Sequence, residues 1–164
     1  GQDMAAVAGE INLAVPGEPH NGFAAHESGW TYRMFYFDAD ILGEASIEIA
    51  DRHLAPPFFR HGVIRDQDLA ASLRVLHNGL ESTEASDLEI DSRLLSVMSK
   101  LILRYAQDHP GKRKAGNEKK TVERARDFIH ANYDRNITLD QLSRIAGLSR
   151  FHLLRVFQKE LSFS

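Results

Sequence analysis

The chain has 164 residues, 43% of them hydrophobic and 26% charged, with 11 Gly, 5 Pro and no Cys. That balance excludes disordered, collagen-like and low-complexity classes, leaves material for a packed core, and rules out disulfide frameworks, cysteine nucleophiles and thiolate metal sites. The net charge of −3 conceals a division, since residues 1–111 hold 8 Lys and Arg against 17 Asp and Glu, whereas residues 112–164 hold 12 against 6; a cationic segment of this kind is the footprint of a polyanion-binding surface, with nucleic acid the first candidate.

In chain order, Glu10 to Val15 is a short apolar stretch closed by Pro16-Gly17, and Thr31 to Phe37 (TYRMFYF) alternates so that Tyr32, Met34 and Tyr36 share one face. Both patterns predict strands. Pro56-Pro57 ahead of Phe58-Phe59 and Val63-Ile64 predicts a third, because the turn chemistry precedes the apolar run. Three strands do not close a barrel, so residues 1–65 are expected to form an incomplete β-domain.

From Asp66 the period changes. Leu69, Leu73, Leu76 and Leu80 recur at helical spacing behind Asp66 as N-cap, and after Ser86-Asp87 the same spacing returns at Leu94, Met98, Leu101 and Tyr105, widened by Leu95 and Ile102. Two such helices joined by a short polar turn predict an antiparallel hairpin over 66–107. The stripe of Leu94, Met98, Leu101 and Tyr105 fits a homodimer seam and fits internal packing equally well, since two heptads are too few to specify a coiled coil. Residues 108–120 (DHPGKRKAGNEKK) hold no large apolar side chain and predict an exposed linker.

The segment 121–164 predicts three helices. Val122, Ala125, Ile129 and Tyr133 form a supporting stripe; Thr138 caps a helix with Leu139, Leu142, Ile145 and Ala146 on one face; Gly147 ends it; Leu148 plugs the turn; Ser149 caps the next helix. The arrangement is helix, tight turn, helix. In the last helix Leu153, Val156 and Phe157 point inward by periodicity, leaving Phe151, Leu154, Arg155 and Gln158 on the outer face. Arg can fork onto guanine, Gln can pair with adenine, and an apolar side chain can cover a thymine methyl, so this face suits a major groove.

The run ITLDQLSRIAGLSRFHLLRVFQKE resembles the first helix-turn-helix of the AraC/XylS family of bacterial transcriptional regulators, and upstream GEINLAVPGEPHNG with GWTYRMFYFD resembles later strands of that family's cupin-type effector domain. PFFRHGVIRDQDLAASLRVLHNGLE resembles the passage into the family's helical hairpin. The resemblance implies a small-molecule effector such as a sugar, dimerisation through the hairpin, and a DNA-binding domain that positions or blocks RNA polymerase. It places Phe151, Leu154 and Arg155 at positions that reach base edges, with Arg150 and Gln158 as flanking contributors. Family members carry further strands ahead of this segment and a second helix-turn-helix after it, so the chain is expected to be a fragment of a longer regulator.

The expected fold class is therefore α+β: a partial cupin-like effector domain (1–65), the helical hairpin (66–107), the linker (108–120) and a first helix-turn-helix unit (121–164). His20, Trp30 and Tyr32 are the expected effector contacts, since ring stacking with a few directed hydrogen bonds holds a neutral sugar or small aromatic. Two other readings stand beside the regulator: a dimerising module without specific DNA binding, and a cupin metalloenzyme. The second rests on Pro16-Gly17-Glu18-Pro19-His20, which resembles a cupin motif with one histidine ligand, and one ligand is not a site. His26, His53, His61, His77, His109 and His130 have no short ligand spacing, and there is no nucleophile elbow or Gly-rich phosphate loop, so no enzyme, metal or cofactor is expected. Neither a membrane-length apolar run nor a secretion leader is present, which leaves the cytoplasm as the expected compartment.

Overall fold

The computed structural model describes residues 6–17, 23–24, 27, 29–50, 52, 55–60, 62–107 and 118–161. Within them the chain is mixed α/β and mostly helical, in the order β1 (Ile11–Leu13), α1 (Ala39–Ala50), β2 (Gly62–Ile64), α2 (Gln67–Glu81), α3 (Asp87–Tyr105), α4 (Lys119–Ala131), α5 (Leu139–Ala146) and α6 (Arg150–Leu161). None of the described helices is long and apolar enough to cross a membrane.

The sheet has two antiparallel strands, with Ile11 opposite Ile64 and Leu13 opposite Gly62. Glu10 and Arg65 close its end with a 2.7 Å ion pair. The strand expected at Thr31–Phe37 does not form: the segment joins no ladder. Its alternation survives nonetheless, for Phe35 and Phe37 stack against each other and pack on the core while Tyr32, Met34 and Tyr36 stay exposed. The side-chain period came from the sequence, but a ladder needs a partner backbone as well.

Helix α1 was not anticipated. The Asp38 carboxylate accepts a hydrogen bond from the Asp40 N–H at 2.8 Å, and the Asp38 carbonyl accepts from Leu42 N–H. Leu42, Ala45, Ser46 and Ile49 then fall at helical spacing, and the last three are buried. That signal is legible, though Gly43 and the isoleucines Ile41, Ile47 and Ile49 lower its helix propensity.

The hairpin follows the expected plan. The Asp66 carboxylate caps α2 by accepting from Leu69 N–H, and Ser86 Oγ caps α3 by accepting from Glu89 N–H. Cross-links fix the antiparallel sense: Arg104 Nη1 reaches Asp66 at 2.7 Å and Lys100 Nζ reaches Asp68 at 2.8 Å, while Arg93 Nη1 approaches the Val75 carbonyl near the other end. The turn end is tight, since a Cβ on Gly79 would lie 2.9 Å from Ile90 Cδ1. Leu69 and Leu76 are buried, but Leu80, the last residue of the same stripe, is exposed.

The C-terminal helices begin earlier than expected, with Lys119 and Lys120 already in α4 rather than in the linker. The rest of that linker, 108–117, lies outside the described residues. Ala125 is fully buried and Val122 and Ile129 half-buried, as the stripe requires, whereas Tyr133 lies past the end of α4 and is exposed. The buried cluster runs without interruption from Ala45 and Ile49 in α1 through Leu95 to Ile102 in α3 and on to Leu142 and Leu153 in α5 and α6.

Candidate nucleic-acid interface

Helix α5 starts with a reciprocal capping box. Thr138 Oγ1 accepts from the Gln141 N–H, and Gln141 Oε1 accepts from the Thr138 N–H, which satisfies two otherwise orphaned donors. The helix ends at Gly147 with φ 68°, a left-handed conformation that costs glycine little and other residues more. Ser149 Oγ then accepts from His152 N–H at the start of α6. The expected caps and reversal are therefore all in place.

Helix α6 sits differently from the expectation at one residue. Leu153 and Val156 are buried as periodicity requires and Phe157 is half-buried. Phe151, however, placed on the open outer face by its spacing, is only 6% exposed. Helices α1, α3, α4 and α5 all pack on α6. Glu48 of α1 accepts from Arg150 Nη2 at 3.0 Å and from the Phe151 N–H at 3.5 Å. A carboxylate there meets both a guanidinium and the positive end of the helix dipole. Burial works against the Arg150 charge, but Glu48, with Asp140 and Glu44 behind it, holds its pKa above the usual arginine range. Leu154 and Arg155 are half-buried and Gln158 is exposed.

Beneath this face lies a polar relay that spacing did not reveal. His152 is buried, its Nε2 lies 2.6 and 2.7 Å from the two Glu118 carboxylate oxygens, and its Nδ1 lies 3.0 Å from Arg155 Nη2. A guanidinium only donates, so Nδ1 accepts and the ring proton sits on Nε2, pointing at Glu118. Glu118 is the residue immediately before α4, so the relay ties the entry of α4 to the first turn of α6.

The expected effector contacts are less enclosed. Trp30 and Tyr32 face each other with ring centroids 4.8 Å apart and are 56% and 58% exposed. His20 lies outside the described residues. In the hairpin, Met98 and Leu101 are buried within this chain, so they serve its own core instead of standing open as a seam; α2, α1 and α6 all pack on α3. Leu94 is half-buried, and Tyr105 donates its hydroxyl to Asp66 at 2.8 Å. An open groove of about 500 Å³ lies between the hairpin turn and the start of α5, with Asp87, Asp91 and Asp140 on its wall. Among the described residues no group of three or more His, Asp or Glu is placed to hold a metal ion.

Residues 1–98 match the family model described as the AraC-like ligand binding domain. The chain belongs to the AraC family of regulators. It is also 30% identical over 152 residues to the uncharacterized HTH-type transcriptional regulator YbfI of Bacillus subtilis (strain 168), an alignment covering 93% of this chain and 54% of that protein. The chain thus spans about half the length of the curated relative it matches. No solved structure matches it significantly. The AraC-like match ends inside α3 and covers β1, α1, β2 and α2, so the α1 that packs on α6 is part of the ligand-binding half of this AraC-family chain. Spacing alone missed Glu48 and Glu118: each acts on α6 from about a hundred and about thirty residues away, and no local pattern carries that information.

Proposed function

We propose that this chain is part of an effector-responsive transcriptional regulator whose α5–α6 pair binds double-stranded DNA, with α6 in the major groove. What carries the reading is the α5–α6 geometry itself, a boxed helix, a left-handed Gly147 and a second helix, set in the segment 112–164 with its 12 Lys and Arg against 6 Asp and Glu. The cationic residues neutralise phosphates and position the unit, while Arg155, Leu154 and Gln158 meet base edges, with Arg150 beside them. Phe151 joins them only after α1 has left it, so in the arrangement described the reading face is partly sheathed by the ligand-binding half.

On this reading a small molecule such as a sugar is held by Trp30 and Tyr32 with His20, in a β-domain completed by other parts of a longer protein. Two copies associate through the hairpin, where Leu94 and Tyr105 keep some exposure, and the complex meets RNA polymerase in the cytoplasm. The units proposed are 1–65 for the effector, 66–107 for dimerisation, 108–120 as linker and 121–164 for DNA.

The test is fluorescence-anisotropy binding to duplexes selected from a randomised pool, at several salt concentrations, for this chain and Arg155→Ala. Direct readout by α6 predicts a loss of about 1–3 kcal/mol at one base position with little change of salt slope. Equal binding by both, through salt-sensitive contacts alone, favours the dimerising module with a basic segment.

A further inference from the structure

We infer that His152 is a positioning residue for base recognition: held by Glu118, it fixes the guanidinium of Arg155 on α6. The inference rests on the DNA-reading assignment of Arg155 and adds how that side chain is oriented. An arginine reads guanine through two parallel hydrogen bonds, so the plane of its fork must be set before contact. A free arginine loses rotamer entropy when it docks, and a residue that already holds the side chain removes part of that cost.

The relay has the parts for this. Arg155 lies three residues after His152, one turn along the same helix and within reach of it. Nδ1 of His152 accepts from Arg155 Nη2 at 3.0 Å, and the ring cannot swivel because Nε2–H is held between the two oxygens of Glu118. The imidazole is buried, with a side-chain exposure of 7%, so water does not compete for either nitrogen. A histidine retained only for packing would not need its two nitrogens matched to one carboxylate and one guanidinium. The carboxylate also selects the tautomer: with the proton on Nε2, the lone pair on Nδ1 is always presented to Arg155.

Two isosteres separate the halves of the relay. In His152→Asn the amide oxygen lies near the position of Nδ1 and still accepts from Arg155, but nothing reaches Glu118. In His152→Gln the amide nitrogen lies near Nε2 and still donates to Glu118, but the acceptor that Nδ1 offered to Arg155 Nη2 is gone. This chain, both variants and Arg155→Ala are each selected against a randomised duplex pool, base preference is read position by position, and thermal unfolding is recorded for each. The expected result is that His152→Gln flattens the preference at the position Arg155→Ala flattens, by roughly tenfold or more, while His152→Asn retains most of it and all other positions are unchanged. If both isosteres keep the preference, positioning is overturned and the base-reading assignment stands. If both flatten every position alike, His152 acts through the fold alone and the inference is overturned. If Arg155→Ala leaves every position unchanged, the base-reading assignment itself fails and this inference fails with it.

Discussion

Trp30, Tyr32, Met34 and Tyr36 stand exposed along an extended segment that pairs with no strand, whereas Leu139, Leu142, Phe151 and Leu153 are buried in helices that close on one another and on α1. The two regions are comparably rich in large apolar side chains; the difference lies in the backbone. A helix satisfies its own N–H and C=O groups and needs only one covered face, while a strand needs a neighbour for its backbone before its side chains can pack. The C-terminal helices find that cover within this chain. The aromatic segment finds it on one side only, through Phe35 and Phe37.

The contrast can be broken most strongly in the buried core. Leu153→Ala removes a side chain that is 1% exposed and is expected to cost about 2–5 kcal/mol, read as a lowered urea midpoint. Next comes Asp66→Ala, which deletes the α2 cap and the bonds to Arg104 and Tyr105; about 1–3 kcal/mol is expected. The Asp66 carboxyl is held down to about 2 by the Leu69 N–H first and by Arg104 and Tyr105 after it. A lowered folded-state pKa stabilises above the unfolded value of about 4 and loses that contribution as pH falls toward 2. Acid titration of the unfolding free energy should therefore show a decline across that window that Asp66→Asn lacks.

Gly147→Ala puts a Cβ on a residue at φ 68° and should cost about 1–2 kcal/mol, visible as a lower melting temperature. Glu48→Gln weakens the α1 hold on Arg150, a residue whose side chain is 36% exposed, so its effect on stability should stay within about 1 kcal/mol. Its larger consequence should be tighter binding to selected duplexes, because the reading face is released. At the small end, Tyr36→Ser alters a residue that is 89% exposed and should shift stability by no more than about 0.5 kcal/mol; a larger loss would mean that the aromatic segment is packed after all.

Much of the helical half was legible in the sequence. Asp66, Ser86 and Thr138 announce helix starts by chemistry that acts within three residues, and Gly147 announces a reversal by the one conformation it alone adopts cheaply. Leu69, Leu76, Leu142 and Leu153 were legible as core from period alone. What was not legible depends on distant partners. Tyr32 alternates as a strand residue should, yet no local pattern says whether a neighbouring strand exists. Phe151 has the spacing of an outer-face residue, yet it is buried where α1, α3, α4 and α5 pack on α6, and its N–H is held by Glu48, about a hundred residues earlier. Met98 and Leu101 sit in a heptad-like stripe that serves this chain's own core. The tie of His152 to Glu118 across the α4 entry is likewise beyond any spacing rule.

The most direct measurement is amide hydrogen exchange, resolved by peptide, for this chain alone and saturated with duplexes selected from a randomised pool. The account predicts that DNA slows exchange in α5 and α6 while exchange in α1 accelerates, as Glu48 gives up Arg150 and the N–H of Phe151. Unchanged protection in α6, or α1 protected together with it, would contradict a reading face that α1 covers and DNA uncovers.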